Sequence, residues 1–370
     1  MWLAGKLLLS SDTIGDSMTI KTFLLTSAAA LAASQGAQAA DAIVAVEPEP
    51  MEYVRICDAF GKGYFYLPGT ETCLKVGGYV RFDNILGENP FDGEDDGWVG
   101  HTRATLRYDA VSDTEYGTLR SFIEHRWDVQ DGEERFTLVS AFIELGGFRA
   151  GYSDSRFDKW LDSAGNIVND DVIDFSPSRT NQISYVYKAD NGFELLFGLE
   201  EGNGTYSAGG TTVAYRAEDW PFPVAGMKYE QDWGGISAIV GYDTNAESVA
   251  AKARLDLALT DAFSIFVMGG YQSDWDNTNG PAGSRERNYF GSWRGDWAAW
   301  GGFSAKVADK TTLNGQIAYE EDGTMATALN VEYKMVSGFK IMPEINYTDF
   351  DGDRGDGEAF GGTIRFQRDF

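Results

Sequence analysis

The chain has 370 residues, 43% of them hydrophobic and 14% aromatic, with 44 glycines and a formal charge of −27. It is too polar for a bundle of membrane-spanning helices and too rich in aromatic residues for a disordered chain. The acidity argues against a nucleic-acid partner, since phosphate contacts rely on lysine and arginine.

The continuous apolar run Phe23 to Ala33 follows Lys21 and precedes Ala37-Gln38-Ala39, the pattern of a secretory leader with a small-residue cleavage site. The leader region is assigned to residues 1–39. Translation is expected to start at Met18, because Met1 to Ser17 fits no leader pattern and Met18 stands directly before Thr19-Ile20-Lys21. Beyond the leader no stretch reaches the roughly 18 apolar residues a spanning helix needs, so a membrane role would fall to strands.

From Cys73 onward apolar residues recur at every second position, the period of strands. Val76, Gly78, Val80 and Phe82 alternate with Lys75, Gly77, Tyr79 and Arg81. Thr102, Ala104, Leu106, Tyr108 and Ala110 alternate with His101, Arg103, Thr105, Arg107 and Asp109. A soluble sandwich cannot hide so charged a row inside, whereas a barrel with a wet lumen can. The pattern returns over 119–127, 139–145, 193–199, 236–242, 249–257, 263–271 and 297–305, and again near Leu313, Met325 and Phe339. At roughly 20 residues per strand and connection this predicts an all-β fold, a transmembrane antiparallel β-barrel of about 16 strands, wide enough for an aqueous channel.

Aromatic residues near strand ends, such as Tyr108, Trp127, Tyr242, Tyr271, Trp297 and Tyr319, suit the two membrane interfaces. Thr363 to Phe370 alternates up to a terminal Phe, as a closing strand should; Arg368 breaks the parity and would snorkel to water. Polar parity sets Lys75, Arg81, Arg103, Arg107, Arg120 and Arg126 on one inner wall, with Arg365 beside them. The segment from Ser153 to Arg179 interrupts the alternation and carries Asp154, Asp158, Asp162, Asp170, Asp171 and Asp174.

Glu49-Pro50-Met51-Glu52-Tyr53-Val54-Arg55-Ile56-Cys57-Asp58-Ala59-Phe60-Gly61, followed by Gly63-Tyr64-Phe65-Tyr66-Leu67-Pro68-Gly69-Thr70-Glu71-Thr72-Cys73-Leu74-Lys75-Val76-Gly77-Gly78-Tyr79-Val80-Arg81, closely resembles the general porin family of alpha-proteobacteria. The likeness continues in Tyr116-Gly117-Thr118-Leu119-Arg120-Ser121-Phe122 and the terminal Phe370 and is otherwise one of pattern and length. It implies a homotrimer of outer-membrane barrels, each with an inward-folded constriction loop, that pass small hydrophilic solutes and ions by passive diffusion. Such a chain would meet the lipid bilayer and lipopolysaccharide. The Ser153–Arg179 segment matches the position of that loop, so its aspartates would face the arginines across a narrow gap and give weak cation selectivity. Cys57 and Cys73 belong to the family-like segment and are expected to be bridged, closing an N-terminal segment over residues 40–72 ahead of a barrel over 73–370.

Other readings stay open. A substrate-selective channel, for sugars for instance, would use luminal aromatics, and Tyr79 and Phe122 have luminal parity. A barrel enzyme needs a nucleophile or carboxylate beside a base, but only His101 and His125 exist, and parity sends them to opposite faces. Ser337-Gly338-Phe339-Lys340 lacks the companions of a serine acyl enzyme, and no cofactor or metal is implied. The acidic runs 92–97 and 349–357 look superficially like calcium loops, but the second lacks Gly at the sixth position and a properly spaced Glu; both are expected to be solvated loops, with weak divalent-ion binding at a lipopolysaccharide-covered rim as the alternative.

Overall fold

The structure, a computed structural model, describes residues 55–370 except Ser178 and Gly209. The leader assigned to residues 1–39, the start at Met18 and residues 40–54 of the N-terminal segment lie outside the described residues.

Sixteen strands form the wall. They are β1 (Cys73–Glu88), β2 (Asp95–Thr114), β3 (Gly117–Gln130), β4 (Glu133–Leu145), β5 (Phe148–Ser153), β6 (Thr180–Lys188), β7 (Phe193–Glu200) and β8 (Phe222–Gln231). The second half comprises β9 (Gly234–Asp243), β10 (Ser248–Thr260), β11 (Phe263–Gln272), β12 (Trp297–Ala308), β13 (Thr311–Glu320), β14 (Met325–Val336), β15 (Phe339–Phe350) and β16 (Gly357–Asp369). Each pairs antiparallel with its sequence neighbours, and β16 pairs with β1, from Gly361 opposite Gly87 to Asp369 opposite Tyr79. Phe370 then exchanges both backbone hydrogen bonds with Gly78 (3.0 Å each). The closed wall leaves no strand edge unpaired, the condition for a sheet in hydrocarbon.

One end of the barrel carries only short turns, and the other carries the long connections 154–179, 201–221 and 273–296. Three hairpins, β10–β11, β12–β13 and β14–β15, shift register just before their short-end turns, which tightens the local twist. At the other end Asp131 and Gly132 both take positive φ (54° and 79°), the type I′ geometry that an Asp-Gly pair favours between twisted strands.

Alternation sorts the side chains as the sequence suggests. Val80, Ile123, Phe197, Val240, Val267 and Ile345 are exposed on the outer face, with Trp98, Tyr271 and Trp297 near one rim and Tyr187, Phe263 and Tyr333 near the other. His101 points inward to Asp128, whereas His125 lies outside among Tyr108, Trp127 and Phe136. Strands β5, β6 and β8 escape the sequence reading, because one is six residues long and the others follow long connections.

Cys57 and Cys73 form a disulfide with Cα atoms 6.0 Å apart. Phe65 and Tyr66 pair with Leu74 and Cys73 at the short-turn end. There Cys57, Cys73 and Val111 are buried together with Phe60, Tyr64 and Tyr66 against them, and the Tyr64 hydroxyl donates to Asp109 (2.9 Å). Val111 and Asp109 have luminal parity on β2, so residues 55–72 cover the lower inner wall.

Candidate pore constriction

The segment 154–179 turns into the lumen instead of out to solvent. A backbone crossing a barrel must have its polar groups satisfied, and here side chains of the inner wall do so. The Glu200 carboxylate accepts from Ser155 Oγ (2.7 Å) and Arg156 N (2.6 Å), fixing the single helical turn Arg156–Lys159. Glu344, on the far side of the barrel, accepts from the N–H groups of Val168 (2.6 Å) and Asn169 (3.0 Å). Between them, Lys252 Nζ donates to the Phe175 carbonyl (2.6 Å), Trp300 Nε1 to Ile173 (2.9 Å), and Gln316 Nε2 to Ala164 and Asp170 (2.8 and 2.9 Å).

The loop's underside is apolar. Phe157, Trp160, Leu161, Val172, Ile173 and Phe175 bury against Leu196, Val224, Ile239, Met268, Trp300 and Ala318 of the wall. Phe290 and Trp293 from the 273–296 connection join the same cluster. Small inward residues make the room: a Cβ at Gly226 would stand 2.6 Å from Trp160 Nε1, and one at Gly241 would stand 2.6 Å from the Phe290 ring.

The loop's upper side is acidic. Asp154, Asp158, Asp170, Asp171 and Asp174 line a cavity of about 530 Å³ with Lys159 and Arg179. Arg179 Nε lies 2.9 Å from Asp154, and Lys159 Nζ lies 3.0 Å from Asp158. Burial, reinforced by the neighbouring Asp171 charge, pushes the Asp170 carboxyl up to about 7. Burial likewise raises Asp174 to about 6. Burial raises Asp171 as well. For Lys159 burial works against the charge, but Asp158 and Asp154 outweigh it and hold the amine above its usual value. Asp162, in left-handed backbone (φ 63°), does not join this group; it lines a second cavity of about 400 Å³ with Arg254 and Asp256.

The arginines divide into two tiers. Arg81 and Arg103 are register partners on β1 and β2, and Arg103 faces Asp128 on β3. Arg103 Nε donates to Asp128 (2.5 Å), Arg126 Nε lies 3.7 Å from the same carboxylate, and Arg365 holds Asp83 through two bonds (2.7 and 3.0 Å). Arg107 and Arg120 lie nearer the short-turn end and are tied down there, Arg107 to Glu124 (2.8 and 3.3 Å), Arg120 to Asp109 (2.8 and 3.0 Å) and Glu144 (2.9 Å). Lys75 lies over the Tyr64 ring. The structure therefore groups Arg81, Arg103 and Arg126 around Asp83 and Asp128, gathers five of the six loop aspartates in one cavity, and leaves Arg107, Arg120 and Asp162 out of both groups.

Sequence reasoning missed Arg179, Lys159 and the wall groups Glu200, Lys252 and Glu344. For the wall groups the available signal is a charge at luminal parity, as Lys252 shows together with Arg254 and Asp256 within Ser248–Thr260.

The porin subfamily profile matches residues 41–365. Porin Omp2b of Brucella suis biovar 1 (strain 1330) is 43% identical over 371 residues, covering 95% of this chain and 100% of the relative. Porin Omp2b of Brucella abortus (strain 2308) matches at the same identity and coverage. Among solved structures, the outer membrane channel DcaP of Acinetobacter baumannii aligns with a TM-score of 0.64 at 16% identity, over 82% of this chain and 99% of that one. A mutant of Rh. blastica porin aligns with a TM-score of 0.56 at 13% identity, over 80% of this chain and 100% of that one.

Proposed function

The chain belongs to the porin subfamily, and from that premise we propose that its narrowest passage is the gap between the Arg81–Arg103–Arg126 wall and the acidic side of the inward loop. The protein is an outer-membrane β-barrel channel, and its family and relatives point to transport across that membrane rather than to catalysis. Small hydrophilic solutes and ions cross it by passive diffusion.

The observation that carries this reading is the loop's seating. Side chains from β7 round to β15 anchor it along that half of the barrel, and the arginines of β16 and β1–β3 lie on the remaining half. Carboxylates on one side and guanidinium groups on the other set up a transverse field, strong because low-dielectric walls focus it and salt screens it over only about 8 Å. Polar solutes that can align with the field pass; apolar ones lose ordered water and gain nothing.

Three copies assemble through the outer face of β1–β3. Asn84, Thr102, Ser121 and His125 have outward parity there, while the outward positions of β8–β13 are filled by residues such as Met227, Ile236, Val240, Val267 and Ile317. Polar groups on a lipid-facing surface are expensive, which favours a protein-covered face at β1–β3.

Single-channel recording of the purified protein in planar bilayers tests the function. Large stepwise conductances in groups of three, insensitive to added sugars, are expected. Sugar-blocked steps would replace this reading with a substrate-selective channel, and silence would end both.

A further inference from the structure

On the wall formed by β16, β1, β2 and β3, four guanidinium groups share two carboxylates. Arg365 takes Asp83 with both its bonds (2.7 and 3.0 Å), and Arg103 with His101 takes Asp128 (2.5 and 2.8 Å). Arg81 and Arg126 are left in second place. Arg81 Nε stands 3.3 Å from Asp83 and Arg126 Nε stands 3.7 Å from Asp128, and neither of these buried nitrogens makes a hydrogen bond among the described residues. Four positive groups against two negative ones leave a surplus of two charges on this wall.

The surplus is concentrated. Arg81 and Arg103 face each other across β1 and β2, and one step down the strands Tyr79, Thr105 and Arg126 stand in register. The Tyr79 ring lies 5.6 Å from the Arg81 guanidinium and 5.6 Å from that of Arg107. A buried donor on a charged group that finds no acceptor costs free energy, and a guanidinium fork matches two oxygens of one anion better than it matches water or a spherical halide.

We propose that Arg81, Arg103 and Arg126, set around Tyr79, form a binding site for one small oxyanion, a carboxylate or a phosphate, which pauses there on its way through the lumen. The site rests on the channel reading above and adds to it a saturable step on one wall. Its oxyanion is drawn by the surplus positive charge, which it neutralises in part. The acidic loop opposite keeps the anion weakly held, so it slows anion passage without closing the channel.

The test is the potassium chloride current of the whole protein in bilayers, titrated with inorganic phosphate or with acetate at constant ionic strength and pH. The current should fall along a saturating curve with phosphate, with acetate, or with both; which probe saturates assigns the oxyanion. Arg81→Gln and Arg126→Gln should each raise the half-saturating concentration roughly tenfold, equivalent to about 1.4 kcal/mol. Should one variant fail to assemble, the other carries the test. A current that declines without saturation in the unmodified protein, or half-saturation unmoved in the variants, overturns the site while leaving the channel intact. Absence of any potassium chloride conductance overturns the channel reading beneath it.

Discussion

The inner wall of β16 and β1–β4 and the inner wall of β7–β14 obey the same alternation and end as opposites. The first faces the lumen with Asp83, Arg81, Arg103, Asp128 and Glu144, and its charges are paired within and across strands with arginine in excess. The second faces inward with Val224, Ile239, Ala250, Met268, Ala298 and Ala326, and these are covered by Phe157, Trp160, Leu161, Phe290 and Trp293. Strand parity decides which side of the barrel a residue is on. Whether that side is wet is decided by the loop lying over it. Each large aromatic ring buried in this way contributes on the order of 4 kcal/mol, as an upper estimate from the area it removes from water.

The comparison breaks most visibly if the covered wall is forced open. Gly226→Val puts a branched side chain where a Cβ alone would already meet Trp160 at 2.6 Å, and it threatens the bond from Trp160 Nε1 to the Met227 carbonyl (3.1 Å). Overpacking of this kind costs about 1–3 kcal/mol, which the loop can relieve by lifting its first turn off the wall. The barrel strands stay paired, so the expected result is a folded channel whose single-channel conductance rises roughly twofold, a change of aperture rather than of assembly. Unchanged conductance would mean that the clamps at Glu200 and Glu344 hold the loop without the apolar seat.

This contrast also explains what the sequence reveals. The bare wall is legible because its inward positions are charged: Lys75 to Phe82 and His101 to Ala110 show clean alternation. On the covered wall a strand such as Phe263-Ser264-Ile265-Phe266-Val267-Met268-Gly269-Gly270 is still recognisable, but both its faces are apolar or small, so the sequence does not say which face turns inward. Composition places six aspartates between Ser153 and Arg179 without saying which way each points. Asp162 leaves the group because a left-handed residue turns the chain there, and Arg107 and Arg120 leave it because strand tilt and local partners set their height. Glu200, Lys252 and Glu344 escape because a wall residue that holds a loop differs from one that faces water only through its partner.

Charge changes on the two sides sharpen the comparison next, with smaller effects. Asp128→Asn removes the carboxylate that His101, Arg103 and Arg126 share, and reversal potentials in a salt gradient should move toward chloride, by roughly twofold in permeability ratio. On the loop side the lever is pH. Asp174 at about 6 and Asp170 at about 7 are neutral at pH 5 and charged at pH 8, so cation preference should grow across that interval. Both values lie above the ordinary carboxyl, so these groups favour the seated loop when protonated, and that contribution fades as pH rises through 6 to 7. Asp170→Asn with Asp174→Asn should flatten the profile. A profile as steep as that of the unmodified protein would assign the titration to other groups.

The smallest effect concerns the part of the bare wall that is not bare. Residues 55–72 cover its lower end, held by the Cys57–Cys73 bridge, the Phe60-Tyr64-Tyr66 cluster and the Tyr64–Asp109 bond. Closing a loop with a sequence separation of 16 restrains the unfolded chain by about 3 kcal/mol in the entropy model, but no barrel strand pairs through it. The double change Cys57→Ser and Cys73→Ser should therefore leave the barrel's thermal midpoint nearly fixed, expose the chain ahead of Cys73 to protease, and alter conductance far less than Gly226→Val. If instead loosening this segment changed conductance as much as unseating the inward loop, the narrowest point would lie at the short-turn end, and the pairing of arginine wall and acidic loop would no longer govern which solutes pass.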